Sequence, residues 1–590
     1  MKLVLYFLLS FNLLCFSAQS QIITSSWVNI PGPDHEIIQS LGTVQGDNLL
    51  HNFEQFNLNS GESAVFQADP SISNIIADIS KASFIDGSLV SPTNLFLINH
   101  ESVTFGSNAS LDISGSFSVE SPSITLDGSQ LVNFENDISL SGDNILIINS
   151  ALLETSGYDA GRLALTGKSI TVDNSYLYAQ TTDGIGKSVE ISGDTVSFIN
   201  GSYLDASVTG SGHGSDVSIT AKESAEFSGI STDGYPTEIY LASFTDGISG
   251  SFRLTSPTVS FLNGAWVSSY VHGTGTGADI EVIADNLTID GEYEGEGGGL
   301  YSTVQPEGTG RGGNIFLDVE SIDLLNGSYI STSTYGEGNG GNISINADNI
   351  YTGGATSLGW ASLITASTDS TDAGLPTGNG GTVTIKTGNL ILEGGSQVST
   401  SSIGELSGNA GNIYINADTV IASGQNPHGE NEDGLYSGVY AKATHAGGGQ
   451  IKATTENQLY LHNGGTIQTS VGNGEGNGGD IEIGSRFVIL NNGNIEANAD
   501  AGDGGAIFIK TEHYIKSADS TVSASSRRGN DGTITITSPD TDVSKGLATL
   551  PGNMLDLSAW TKNTCSPAGK ASRFTVQGKD NADVRIKGIQ

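Results

Sequence analysis

Three short apolar alternations in a row, repeated along most of the chain, constrain its fold more than any other feature. Between Gly312 and Thr332 the chain runs through Ile315, Leu317 and Val319, then Ile322 and Leu324, then an Asn326-Gly327 turn and a third run at Tyr329-Ile330. Successive side chains on a strand point to opposite faces, so each run offers one apolar face. A helical period does not fit the same positions. The Gly-x-apolar opening returns at Gly341, Gly381, Gly411, Gly449, Gly479, Gly505 and Gly532, at intervals of 26 to 40 residues counted from Gly313. Intervals of that size mark repeat architectures. A second row follows in phase, at Asn200-Gly201, Asn263-Gly264, Asn463-Gly464 and Asn492-Gly493. One unit of three strands cannot bury its apolar face alone, whereas stacked coils can. The sequence therefore reads as all-β, a right-handed parallel β-helix (β-solenoid). Its repeat body covers 141–543, with Gly161, Gly186, Gly214, Gly250 and Gly277 opening earlier coils. In this register Ile343 faces the core and Ser344 faces out.

Composition supports an ordered chain. Gly accounts for 80 of the 590 residues with no collagen period, and the 36% apolar share is patterned. Glycine is expected at corners that need positive φ. Asparagine tolerates the same conformations and can ladder from coil to coil. A formal net charge of −41 argues against nucleic acid or an anionic membrane as a direct partner. Spread along the chain, the acid reads as a solubilising surface, with loose divalent-cation binding as the alternative. Lys2, the apolar run from Leu3 to Phe16 and the small residues near Ser20 read as a secretory signal peptide over 1–20. Cleavage there removes Cys15 and leaves Cys565 alone, so no internal disulfide is expected. No later run is long and apolar enough for membrane insertion.

Catalytic and metal chemistry find little footing. The nine His residues are scattered, without the spacing of a zinc site, and no Asp-Asp pair offers paired carboxylates. Gly212-His213-Gly214 and Arg585-Ile586-Lys587 look like fragments of a sugar-cleaving β-helix but lie too many coils apart to share a site. Gly478-Gly479-Asp480 reads as a coil opening rather than a calcium repeat. The chain is expected not to be an enzyme, with no catalytic residue, no metal site and no cofactor. Two stretches rich in Gly, Ser, Asp and Asn, 351–380 and 424–449, read as loops on the side of the solenoid. They are either tolerated surface length or a working face.

The N-terminal segment carries a more specific signal. Asn48-Leu49, His51, Phe53 and Phe56-Asn57 are followed by Asn74-Ile75-Ile76, by Asp86-Gly87, and by Leu95-Phe96-Leu97-Ile98-Asn99 leading to Phe105-Gly106. This ordered set resembles the secretion domain of filamentous haemagglutinin-like exoproteins of two-partner secretion (TPS) systems. The resemblance places a capped secretion domain at 21–140. It implies export through the periplasm by a partner outer-membrane β-barrel transporter, to a secreted or cell-surface location. The chain departs from the family at Asn99-His100-Glu101-Ser102, where Asn-Pro-Asn-Gly is usual, and only Asn99 carries over. Asn48 and Asn99 are the candidate transporter-recognition residues, with Asn99 either touching the transporter or only shaping its turn. Contact is expected by strand addition or through a folded face. The C-terminal tail, 544–590, is similar to the ending of many such exoproteins. It is too short for a barrel of its own, which argues against an autotransporter. The resemblance implies an adhesin whose ligand is an unknown host, cell-surface or glycan partner. The alternatives are a carbohydrate-active β-helix enzyme, or a stalk or cargo protein.

Overall fold

The computed structural model describes residues 21–369, 378–426 and 436–539. The stretch read as a signal peptide, the tail from 544 and both cysteines lie outside the described residues. The coils form a parallel β-solenoid. Long strands such as Ile315–Leu325 stack in a 27-stranded sheet, and short ones such as Tyr329–Ser331 stack in a 14-stranded sheet. The long strand changes its burial phase at Glu320-Ser321. There the burial alternation slips, with Ile315, Leu317 and Val319 buried before it and Ile322 and Leu324 after it. This slip is the break between the first and second apolar runs.

Register keeps like on like. Ile315, Ile343, Val383, Ile413, Ile451, Ile481, Ile507 and Ile534 pair in sequence, one per coil. Ile343 is buried and Ser344 exposed, as the alternation requires. One continuous core runs from Ile22 to Ala524. Within it Phe198 stacks on Phe227 at 5.6 Å and Phe227 on Phe261 at 4.7 Å. Each fully buried side chain of this size contributes about 1.5–3 kcal/mol, so the core holds because every coil covers the next.

The coil-opening glycines are needed for a reason other than the one expected. Gly341, Gly381, Gly411 and Gly449 do not have positive φ. A Cβ on each would stand well inside 3.0 Å of the carbonyl oxygen of the opening glycine one coil earlier. The requirement is close backbone approach. Positive φ belongs instead to the Asn-Gly corners, as at Asn326 (52°) and Gly327 (83°). The Asn side chains there also bond between coils: Asn200 Nδ2 donates to Asp173 at 2.8 Å and Asn326 Nδ2 to Asp290 at 2.7 Å.

The two stretches read as inserts are not simple loops. The long strand Ile343–Gly353 includes Tyr351, and Leu363–Thr365 is a rung of the 14-stranded sheet, paired to Tyr329–Ser331 and Gln397–Ser399. In the second stretch Gly438–Tyr440 is likewise a rung, paired to Gln397–Ser399 and Thr466–Gln468. A three-residue strand with one inward side chain, Ile364 or Val439, leaves too short an alternation to recognise. Each stretch carries structure that could not be cut out without opening the sheet.

The first coil is capped. Its strand Asn48–Asn57 is covered on its outer edge by two antiparallel strands, Thr43–Gln45 against Asn48 to Leu50 and Gln21–Thr24 against Phe53 to Asn57. On its other edge it pairs in parallel with Asn74–Ile79. The third face of these first coils is a separate four-stranded sheet, Asp34–Ile37, Ser63–Phe66, Ser88–Ser91 and Ser110–Ile113. The 14-stranded sheet takes over that face from Gln130–Val132.

Candidate functional site

Asn48 begins an amide ladder down the first coils. Asn74 Nδ2 donates to Asn48 Oδ1 at 2.8 Å, Asn94 Nδ2 to Asn74 Oδ1 at 3.0 Å, and the Ser116 amide to Asn94 Oδ1 at 2.8 Å. Parallel in-register stacking puts like amides one coil apart, where each donates to the one before. The ladder borders a shallow depression of about 180 Å³ on the outer face, lined also by Ile76, Phe96, Ile98, Ser118 and Glu120. Leu50, Ile76 and Phe96 are in register across three coils and half-buried. Asn74 and Asn94 are members that motif reading of Asn48 alone missed. Their signal was the recurrence of Asn at the start of each coil strand.

Asn99 is only 2% exposed. Its Nδ2 donates to the Lys81 carbonyl at 2.8 Å and to Ser83 Oγ at 3.0 Å, and its Oδ1 accepts from the Glu101 amide at 2.8 Å. The side chain bonds two residues ahead and across to the preceding coil, closing the turn without Pro or Gly. Asn48 and Asn99 therefore do not converge on one surface. Asn48 is at the margin of the outer depression, and Asn99 is inside a corner. Replacing Asn99 by Ala strips the buried Ser83 hydroxyl, the Lys81 carbonyl and the part-buried Glu101 amide of this partner. It is expected to lower stability by about 2–3 kcal/mol. Urea titration of the purified chain checks this, and an unchanged midpoint would contradict it.

His51, the histidine of the N-terminal signature, is 1% exposed, its ring 6.0 Å from those of Phe53 and Phe66. Its Nε2 has no hydrogen-bond partner. Burial among apolar rings disfavours the imidazolium and lowers the pKa from 6.5 to about 4. Between those values the unfolded chain binds more proton than the folded one, so stability falls as pH drops through that window. The loss reaches at most about 3 kcal/mol. Thermal melts of wild type and His51→Leu at neutral and mildly acid pH isolate it. The variant is expected to lose less on acidification, and equal losses would contradict this.

A second surface lies on the outside of the 14-stranded sheet. Small loops leave the coils at its margin and rest on one another. The loop bridged at Ile230 and Pro236 accepts a hydrogen bond at Gly234 from Tyr293 Oη, which sits on the hairpin of Glu292–Tyr293 and Glu296–Gly297. Glu292 in turn accepts from the Ser357 amide of the loop bridged at Ala355 and Ala361. Gly359 of that loop accepts from Asn426 Nδ2 at 2.5 Å, beside the bridge of Gln425 and Tyr436. The loops form a wall along the sheet. Outward side chains next to the wall include Tyr203, Glu238, Tyr240 and Trp266, and farther along the stack Tyr440, Gln468 and Glu496. Among the described residues no group of His, Cys, Asp and Glu is arranged to hold a metal ion.

Residues 21–238 match the family model of the TPS secretion domain. The match runs past residue 140, through the change of sheet on the third face, and ends at Glu238, the first residue of the rung Glu238–Tyr240. Neither the curated proteins nor the solved structures hold a significant match to the chain.

Proposed function

We infer, for a chain that belongs through residues 21–238 to the exoproteins of two-partner secretion, such as filamentous haemagglutinin, that its solenoid is an adhesin. The chain is a secreted exoprotein, and its secretion domain implies a partner outer-membrane transporter. Among the described residues no helix is long and apolar enough to cross a membrane. The observation that carries the adhesive reading is the loop wall beside the 14-stranded sheet. It makes a continuous side surface from the Ile230–Pro236 loop to Tyr436 out of loops that leave the coils and bond to one another. Extended surfaces of this kind are what repeat proteins use for binding. The solenoid acts by binding rather than by catalysis.

Recognition by the transporter is read at the outer face beside Asn48, Asn74 and Asn94. Strand addition directly onto Asn48–Asn57 is blocked, because Thr43–Gln45 and Gln21–Thr24 already cover its outer edge. Asn99 supports that face by closing the corner behind it. The adhesive reading is tested with beads coated with the purified mature chain. They are expected to attach to intact cells and to be displaced by soluble chain. Attachment no better than that of albumin-coated beads would overturn it.

A further inference from the structure

The outer face of the 14-stranded sheet opens into a groove of about 440 Å³ toward the C-terminal coils. That size lies within the range of small-ligand sites. Its floor is built by register. Tyr440, Gln468 and Glu496 stand directly above one another on successive rungs, as do Gly438, Thr466 and Asn494. The alternate residues Val439, Ile467 and Ile495 point into the core. Gly438 contributes no side chain to its row, because a Cβ there would stand well inside 3.0 Å of the Thr466 carbonyl oxygen and 3.1 Å from the Tyr440 ring. Tyr436 borders the groove, 39% exposed, and Lys442, Ser470 and Asn473 also line it.

The lining has a definite chemistry. Gln468 Nε2 donates to Glu496 at 3.1 Å, Asn494 Nδ2 to Thr466 Oγ1 at 3.4 Å, and Tyr440 Oη to the Tyr436 carbonyl at 2.8 Å. Each amide has donor and acceptor capacity beyond the single bond named. Lys442 Nζ stands 5.4 Å from the centre of the Tyr440 ring, so its charge is turned onto the floor. Burial pushes the Glu496 carboxyl up, which disfavours a naked anion in the groove. The lining holds one cation, Lys442, and one carboxyl, Glu496. The remaining polar side chains are amides and hydroxyls, and the apolar lining joins the rings of Tyr436 and Tyr440 to Ile403 and Ala443.

A phosphate chain would need more cations than Lys442. A peptide strand would need an unpaired sheet edge, and these rungs are paired on both sides. An uncharged chain dense in hydroxyls, with apolar ring faces, matches both the amides and the tyrosine. We propose that this groove binds a neutral oligosaccharide, with Gln468, Asn494 and Glu496 bonding its hydroxyls and Tyr436 covering a ring face. The proposal rests on the adhesive reading and names its ligand class and place.

The test uses the purified mature chain on immobilised short gluco-, galacto- and manno-oligosaccharides, beside oligouronates and sulfated oligosaccharides. Gln468→Ala and Tyr436→Ala are compared with wild type, their folding checked by circular dichroism and melting. Saturable binding to at least one neutral oligosaccharide is expected, weakened about ten-fold or more by each substitution. Binding of the acidic sugars alone, or of none, would overturn the ligand class. Neutral binding untouched by both substitutions would overturn the groove while leaving bead adhesion, and so the adhesive reading, in place. Beads that fail to adhere while the groove still binds sugar would separate the two the other way.

Discussion

Gly411→Ala is expected to destabilise the solenoid by about 3 kcal/mol or more, whereas Gly484→Ala is expected to leave it unchanged or slightly more stable. Gly411 opens the coil just before the strand Ile413–Ser423, whereas Gly484 lies inside a long strand. A Cβ on Gly411 would meet the carbonyl oxygen and carbon of Gly381, both inside 3.0 Å. That carbonyl cannot give way easily, because the Gly381 amide is bonded to the Ala366 carbonyl at 2.8 Å and the Gly411 amide to the Thr400 carbonyl at 2.9 Å. A shift at one coil is passed to the next, since Gly449 stands on Gly411 in the same way. Gly484 lies within the strand Ile481–Asn491, where an added Cβ meets nothing within 4 Å and φ is not positive. There the substitution acts chiefly by restricting the unfolded chain, worth about 0.4–1 kcal/mol. Urea titration of the two purified variants decides it. Equal behaviour would show that the glycine column is not a steric requirement of stacking.

The column was visible in the sequence as a period, but its cause was not. Repetition of Gly-x-apolar shows that a small residue is required at each coil. It does not say whether the backbone angle or the neighbouring carbonyl demands it. The Asn-Gly corners were legible for both, because Asn before Gly at Asn326-Gly327 has few uses besides left-handed turning. The strand register was legible at Ile343 and Ser344, since five alternating positions outvote any single exception. The rungs Leu363–Thr365 and Gly438–Tyr440 were hidden, because each has one inward residue and sits among turn-forming neighbours. The covering of Asn48–Asn57 by Gln21–Thr24 was also hidden. Antiparallel pairing across that distance leaves no periodic trace.

Function was legible unevenly for a related reason. The export module is carried by ordered motifs whose residues, such as His51 and Asn99, are buried and fixed by packing. Those positions are spelled out one by one. The groove is carried by a column, Tyr440, Gln468 and Glu496, whose members differ in kind and share only an offset within the repeat. Reading such a column needs the register first.

Removing residues 21–238 is expected to abolish export altogether, the largest effect foreseen here. The segment contains the cap, the amide ladder and the whole stretch that matches the secretion domain. Coils after it have no capped first rung on which to stack, so the loss combines recognition with templated folding. The decisive measurement is the amount of full-length chain in the medium, from cells with and without the partner transporter. A parallel chain keeps the signal peptide but lacks 21–238. The chain is expected in the medium only when the transporter is present and the segment is intact. Full export without the transporter, or export of the chain lacking 21–238, would contradict the account.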